Sequence, residues 1–118
     1  MTWRTWYKEH LFTPAQAVQQ IKSGQRVVVA HACGEPSIIL DALVANAAQY
    51  ENVEIIHMVA MGKAAYCQPQ YEKNFHHNAF FLGGSTRAAA AELRGKIMDE
   101  LNDRLAADPG NAFLHRQK

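Results

Sequence analysis

"RVVVAHACGEPSIIL", residues 26–40, decides how the rest of the chain is read. Val27, Val28 and Val29 form an unbroken β-branched run, the pattern of a strand buried on both faces. Gly34 and Pro36 then mark a turn, and Pro36 or Ser37 opens a helix. Its apolar face is Ile38, Ile39, Ala42 and Leu43, interrupted at Asn46 and resumed at Ala47. A strand running through a tight turn into a helix is the first half of a strand–helix–strand unit, the building block of a parallel sheet.

The flanking sequence agrees. Upstream, "TPAQ" (13–16) is a helix start in which Thr13 caps, Pro14 takes the first helical position and Gln16 completes a capping box. Ala17, Val18 and Ile21 follow at helical spacing, and Gly24 ends the helix. Downstream, "NVEIIHMVA" (52–60) reads as a second strand, 61–74 as a long loop with room for one helical turn, and "HNAFFL" (77–82) as a third strand. After "GGST" (83–86) a long helix runs from Thr86 to Ala107. Leu93, Ile97, Leu101 and Leu105 form a stripe that Ala90 extends, and Glu92 with Lys96 and Glu100 with Arg104 are favourable i,i+4 pairs. Gly95 weakens this helix by about 1 kcal/mol relative to alanine. "DPG" (108–110) stops it, and the last eight residues read as a frayed tail. The fold class is α/β, a small parallel sheet with flanking helices that ends in a long helix. Three strands leave an apolar edge uncovered, so the chain reads as part of something larger or half of an interface.

Composition narrows the partners. The chain has 118 residues, 48% hydrophobic and 19% charged, with a net charge of +1. That balance gives no pull toward nucleic acid or an anionic membrane. No apolar run approaches the roughly 20 residues of a bilayer span, and "MTWRTWYKEH" lacks a signal core, so a cytoplasmic protein is expected. Cys33 and Cys67 are expected as free thiols. The six histidines lack CxxC, HxxxH or HExxH spacing, and the adjacent His76 and His77 would point to opposite faces of a strand. No metal site and no permanently bound cofactor are expected.

In an open parallel sheet, ligands gather at the carboxyl ends of the strands. Both glycine turns fall there, each at a helix start, where free N–H groups suit a phosphate, a carboxylate or a developing oxyanion. Gly34 and Gly84, with Ser85 and Thr86 beside the latter, would let backbone approach such a group; the alternative is that the glycines only make tight turns. No GxGxxG or Walker pattern is present. His31 and Cys33 share a face if extended, as a base and nucleophile of a small hydrolase, or as a pocket-lining histidine and a packing thiol; Glu35 opposes a reactive thiolate. Glu35 itself either orients a substrate, ties down the loop or satisfies a helix dipole. Met58 and Met61 are expected as core or wall. Lys63 and Arg87 would attract an acidic ligand or lie solvated on the surface.

"AVQQIKSGQRVVVAHACGEP", "DALVA", "NVEIIHMVAMGKAAYCQP" and "NFHHNAFFLGGSTR" resemble the N-terminal part of the acetyl-CoA hydrolase/transferase family, in particular the 4-hydroxybutyrate and butyrate/acetate CoA-transferases. The resemblance implies a domain of the sugar-phosphate isomerase/CoA-transferase type, present here in part over residues 1–87. It implies transfer of CoA between an acyl-CoA and a short carboxylate, with the CoA thioester as substrate. A glutamate of a second domain attacks the thioester, splitting one hard step into easier ones. On this resemblance the loop with His31, Gly34, Glu35 and Pro36 faces the acyl pocket as an oxyanion-type wall, with Met61 and Gly62 lining it and Gly84, Ser85 and Thr86 forming a second turn. Residues 88–118 carry no motif of the family, and no residue of this chain matches its nucleophile. The chain therefore reads as a truncated, frameshifted or divided product, inactive alone and served by a second-domain chain or another copy. The alternative is a non-catalytic binding or assembly module using helix 86–107.

Overall fold

A computed structural model of the chain describes residues 2–110. Helix α1 (Trp3–Glu9) is capped by Thr2, whose hydroxyl accepts from Thr5 N, and buries none of its residues; the sequence reading did not anticipate it. Helix α2 (Pro14–Val18) opens with the expected capping box, Thr13 Oγ1 accepting from Gln16 N and Gln16 Oε1 from Thr13 N. It ends at Val18 rather than at Gly24. Gly24, at φ +77°, instead makes the turn into the sheet, its N–H donating to Glu51 O at 2.9 Å. Strand β1 (Arg26–Val28), helix α3 (Ser37–Ala45), strand β2 (Val53–His57), strand β3 (Phe75–Ala79) and helix α4 (Gly84–Ala107) follow. Between β2 and β3 the loop winds through two 3-10 turns, Ala65–Cys67 and Pro69–Tyr71.

The sheet is parallel throughout, in the order β1-β2-β3. Register aligns Val27, Ile55 and His77 on one face, and Val28, Ile56 and Asn78 on the other. The first face is the core. Val53, Ile55 and Phe75 pack with Val18 of α2, Leu40 and Leu43 of α3, and Tyr50, whose hydroxyl donates to Val18 O at 2.7 Å. Asn74 closes the entry to β3 by donating to Ala47 O and Tyr50 O.

Among the described residues the second face has no such cover, and the expectation of a strand buried on both faces is corrected: Val28 is 78% exposed. Its row carries a polar ladder in which Arg26 Nε and Asn78 Nδ2 both donate to the Glu54 carboxylate. On α3 the buried residues are Leu40 and Leu43, whereas Ile38 faces solvent. Strand β3 begins two residues earlier than the apolar run suggested, because alternate positions Phe75, His77 and Ala79 meet the core; Phe80, Phe81 and Leu82 lie past its end and are exposed.

Helix α4 stops where expected but starts two residues earlier, at Gly84, and its stripe is not buried as a unit. Leu93 and Ile97 are at least half exposed and only Leu105 is buried. Lys96 pairs with Glu72 at 3.6 Å as well as with Glu92 on its own helix. The molecule measures 68 × 26 × 23 Å, in keeping with a helix that extends away from the sheet. The expected frayed tail falls on 111–118, outside the described residues. No helix among the described residues is long and apolar enough to cross a membrane.

Candidate functional site

The carboxyl ends of all three strands converge. After β1, Val29 N donates to Ile56 O and Ala32 N to Val59 O, so the chain still runs beside the β2 segment as it enters the 3-10 turn Ala32–Gly34. After β3, Phe80 N and Phe81 N reach His57 O and Met58 O. The two sequence motifs meet through one side chain: Glu35 Oε2 accepts from Met61 N at 2.8 Å and Gly62 N at 3.0 Å.

The amides thought free for an oxyanion are engaged. Gly34 N donates to His31 O at 3.1 Å and Glu35 N to Ala32 O at 3.2 Å, because the loop tightens into a 3-10 turn. Gly34 also has room for a side chain, since a Cβ there would meet only Ala30 Cβ at 3.8 Å. The glycines that close approach requires are others. A Cβ on Gly62 would overlap Glu35 Oε1, and one on Gly83 would overlap Ala60 O; Gly84 has open space. Gly83 is the N-cap of α4, with Gly84 and Ser85 in the first helical turn and Thr86 fully buried, its N–H on Gly83 O.

His31 and Cys33 are both exposed, and among the described residues no hydrogen bond joins them. Cys67 is the more enclosed thiol, and burial pushes it up to about 11, away from thiolate chemistry. Met58 and Met61 are exposed rather than core. Lys63 pairs with Asp41 of α3 at 3.2 Å. Arg87 is exposed at the start of α4.

A cleft of about 100 Å³ lies between α3 and the loop after β2, lined by Glu35, Ser37, Asp41, Gly62, Lys63 and Tyr66. Gly62 lines it; Met61 contributes its amide to Glu35 instead. A larger groove of about 530 Å³ runs between β3 and α4, with Tyr66, Phe75, His77, Leu82 and Leu93 among its walls. Tyr66 borders both.

Beneath the loops lies a polar cluster that the sequence reading missed. His57 is buried, and its Nε2 lies 2.7 Å from His77 Nε2 and 3.1 Å from the Tyr66 hydroxyl. Its Nδ1 is buried and has no hydrogen-bond partner among the described residues. Burial, then the neighbouring His57, lowers His77 from 6.5 to about 4. Burial lowers His57 as well, against a smaller opposing pull from the Glu35 charge. Burial chiefly raises the Tyr66 hydroxyl. The signal was present in sequence: Val53, Ile55, His57 and Phe75, His77 recur at the strand period of two. Among the described residues no group of three or more metal-ligating side chains converges.

With the geometry in view, comparison with known proteins is informative. The chain is 49% identical over 89 residues to 4-hydroxybutyrate coenzyme A transferase of Clostridium kluyveri, an alignment covering 75% of this chain and 21% of that protein. It superposes on the crystal structure of RipA from Yersinia pestis with a TM-score of 0.68 at 25% identity, over 85% of this chain and 23% of that one. The chain thus spans about a fifth of the length of the curated relative and under a quarter of the solved one. The family profile described as acetyl-CoA hydrolase/transferase N-terminal domain matches residues 1–114, running past the Arg87 at which the recognisable motifs end. The chain belongs to the acetyl-CoA hydrolase/transferase family, whose N-terminal domain it matches.

Proposed function

We propose that this chain supplies the first-domain wall of a CoA-transferase site that moves CoA between a short acyl-CoA and a carboxylate of the acetate, butyrate or 4-hydroxybutyrate kind. The observation that carries the reading is the Glu35 bond to Met61 N and Gly62 N, which joins the two family motifs at the strand ends where ligands of parallel sheets gather. The 49% identity to a 4-hydroxybutyrate coenzyme A transferase supports the substrate class. The role assigned to His31, Gly34, Glu35 and Pro36 is that of a pocket wall. For Gly34 N and Glu35 N to hold a thioester oxygen, the 3-10 turn must give up the bonds it makes to His31 O and Ala32 O.

Thioester transfer of this kind needs an attacking carboxylate. The acids at the cleft are committed, Glu35 to two amides and Asp41 to Lys63. The 118-residue chain alone is therefore expected to give no sustained conversion of butyryl-CoA and acetate to acetyl-CoA and butyrate, followed by chromatography of the acyl-CoAs. Mixing it with a separately expressed second-domain chain of a relative is expected to restore transfer. Turnover by this chain alone at the rate of an intact enzyme overturns the reading.

A second reading, an assembly module, draws on one observation: Leu93 and Ile97 of α4 are at least half exposed beside the larger groove. Sedimentation separates the two. A monomer that melts cooperatively opposes the assembly role, and a defined dimer that Leu93→Glu with Ile97→Glu dissociates supports it.

A further inference from the structure

Glu35 places a carboxylate between two loops, the turn after β1 and the 61–65 loop. Met61 N and Gly62 N have no other acceptor among the described residues, and both bonds go to the same oxygen, Oε2. The loops on either side are held in conformations that alanine resists: Ala32 lies at φ +53° and Ala64 at φ +47°. Each of these costs about 1–2 kcal/mol relative to ordinary backbone. Gly62 leaves room for Glu35: a Cβ there would overlap Oε1 and lie 3.1 Å from Cδ. A charge-assisted acceptor shared by two backbone donors is the kind of contact strong enough to hold such a pair of loops.

We propose that Glu35 is a positioning residue, a clamp that fixes the 61–65 loop against the turn after β1 and thereby sets the wall of the cleft, rather than a group that receives ligand. The loop it fixes contributes Gly62, Lys63, Ala64 and Ala65 to the cleft lining, and continues into Tyr66, which also borders the larger groove. Lys63 of the same loop is held by Asp41 of α3 at 3.2 Å. That the cleft takes an acyl group rests on the reading above; the clamp does not.

The test uses the 118-residue chain and its Glu35→Gln, Glu35→Ala, Gly62→Ala and combined Glu35→Ala/Gly62→Ala variants. Amide proton shifts and hydrogen exchange of Met61 and Gly62 are followed by NMR against pH. In the parent both amide shifts are expected to move together as one carboxyl group gains its proton, and in Glu35→Gln that common transition disappears while protection is largely kept. In Glu35→Ala exchange of both amides is expected to speed by about tenfold, the loss of one good net hydrogen bond. Gly62→Ala displaces the carboxylate and gives the same acceleration, and the combined variant is expected to be no faster than either alone. Independent behaviour of the two amides, or additive effects in the combined variant, overturns the clamp. Adding butyrate or butyryl-CoA to the parent separates the two ideas: no shift in the 61–65 amides with the common transition intact opposes the acyl reading and leaves the clamp standing.

Discussion

The two faces of the sheet are made by the same three strands and differ in what lies against them. On one face Val53, Ile55 and Phe75 are closed under α2, α3 and Tyr50. On the other, the Arg26, Glu54 and Asn78 side chains form a polar ladder beside an exposed Val28. Parallel sheets are generally covered on both faces. Here the burial of β2 alternates as in a one-sided sheet, so the direction of the strands and the covering of their faces are separate properties. The largest contrast is in packing. Leu43→Ala, at a site 1% exposed, is expected to lose about 3 kcal/mol through transfer and cavity terms. Val28→Ala on the open face is expected to stay within about 0.5 kcal/mol of the parent. Urea unfolding of both variants checks this. A Val28→Ala loss as large as that of Leu43→Ala would mean that a second copy covers the open face in solution.

A smaller effect sharpens the same contrast from the closed side, where His57 and His77 bring ionisable rings under cover. Burial holds both in the neutral form, His77 at about 4 against an ordinary 6.5. The unfolded chain thus binds more protons than the folded one between those values, and stability falls as pH drops through that window. It is fully present above 6.5 and fully lost only below about 4. Allowing for the partial exposure of His77, the loss is about 2 kcal/mol. Urea midpoints at pH 7.5 and 5.0 measure the part of it, somewhat over half, that is lost by pH 5.0. His77→Gln is expected to flatten the dependence. An unchanged slope in that variant would mean that the ring pair does not set it.

Much of this was legible in the chain. The capping box at Thr13, the turn at Gly34 to Pro36, the three parallel strands and the long helix from the "GGST" turn to "DPG" all follow from local chemistry and appear in the fold. The faces were harder, because VVV carries no alternation of its own: which valine is buried depends on the register with β2, a tertiary fact. The same holds for "HNAFFL", whose Phe80, Phe81 and Leu82 lie beyond the last pair of the ladder, His57 with Ala79. At the site, Glu35 as a tie for the loop was among the readings of the sequence, but its partners were not, since nothing local links residue 35 to Met61 and Gly62. The glycines were misjudged for a related reason. Gly34 and Gly84 stood at the visible turns, yet close approach is decided by distant atoms, Glu35 Oε1 for Gly62 and Ala60 O for Gly83.

The smallest effect comes from the open face and tests whether its ladder is held by charge or by geometry. Glu54 accepts from Asn78 Nδ2 at 2.9 Å and from Arg26 Nε at 2.6 Å, and the first of these does most to keep its carboxyl below the ordinary range. A neutral amide donor acts over one hydrogen bond and is indifferent to ions, whereas the attraction of an exposed guanidinium is screened within about 10 Å at 0.1 M salt. Asn78→Ala and Arg26→Ala are both expected to raise the Glu54 carboxyl, the first through one lost hydrogen bond and the second through a lost hydrogen bond together with a lost charge. The Arg26→Ala effect should fade between low and 1 M salt while that of Asn78→Ala persists. Carbon-13 titration of the Glu54 carboxyl reads both variants directly. If the Arg26→Ala effect were equally strong in high salt, the guanidinium would have to be shielded from solvent. The face described here as open would then be covered.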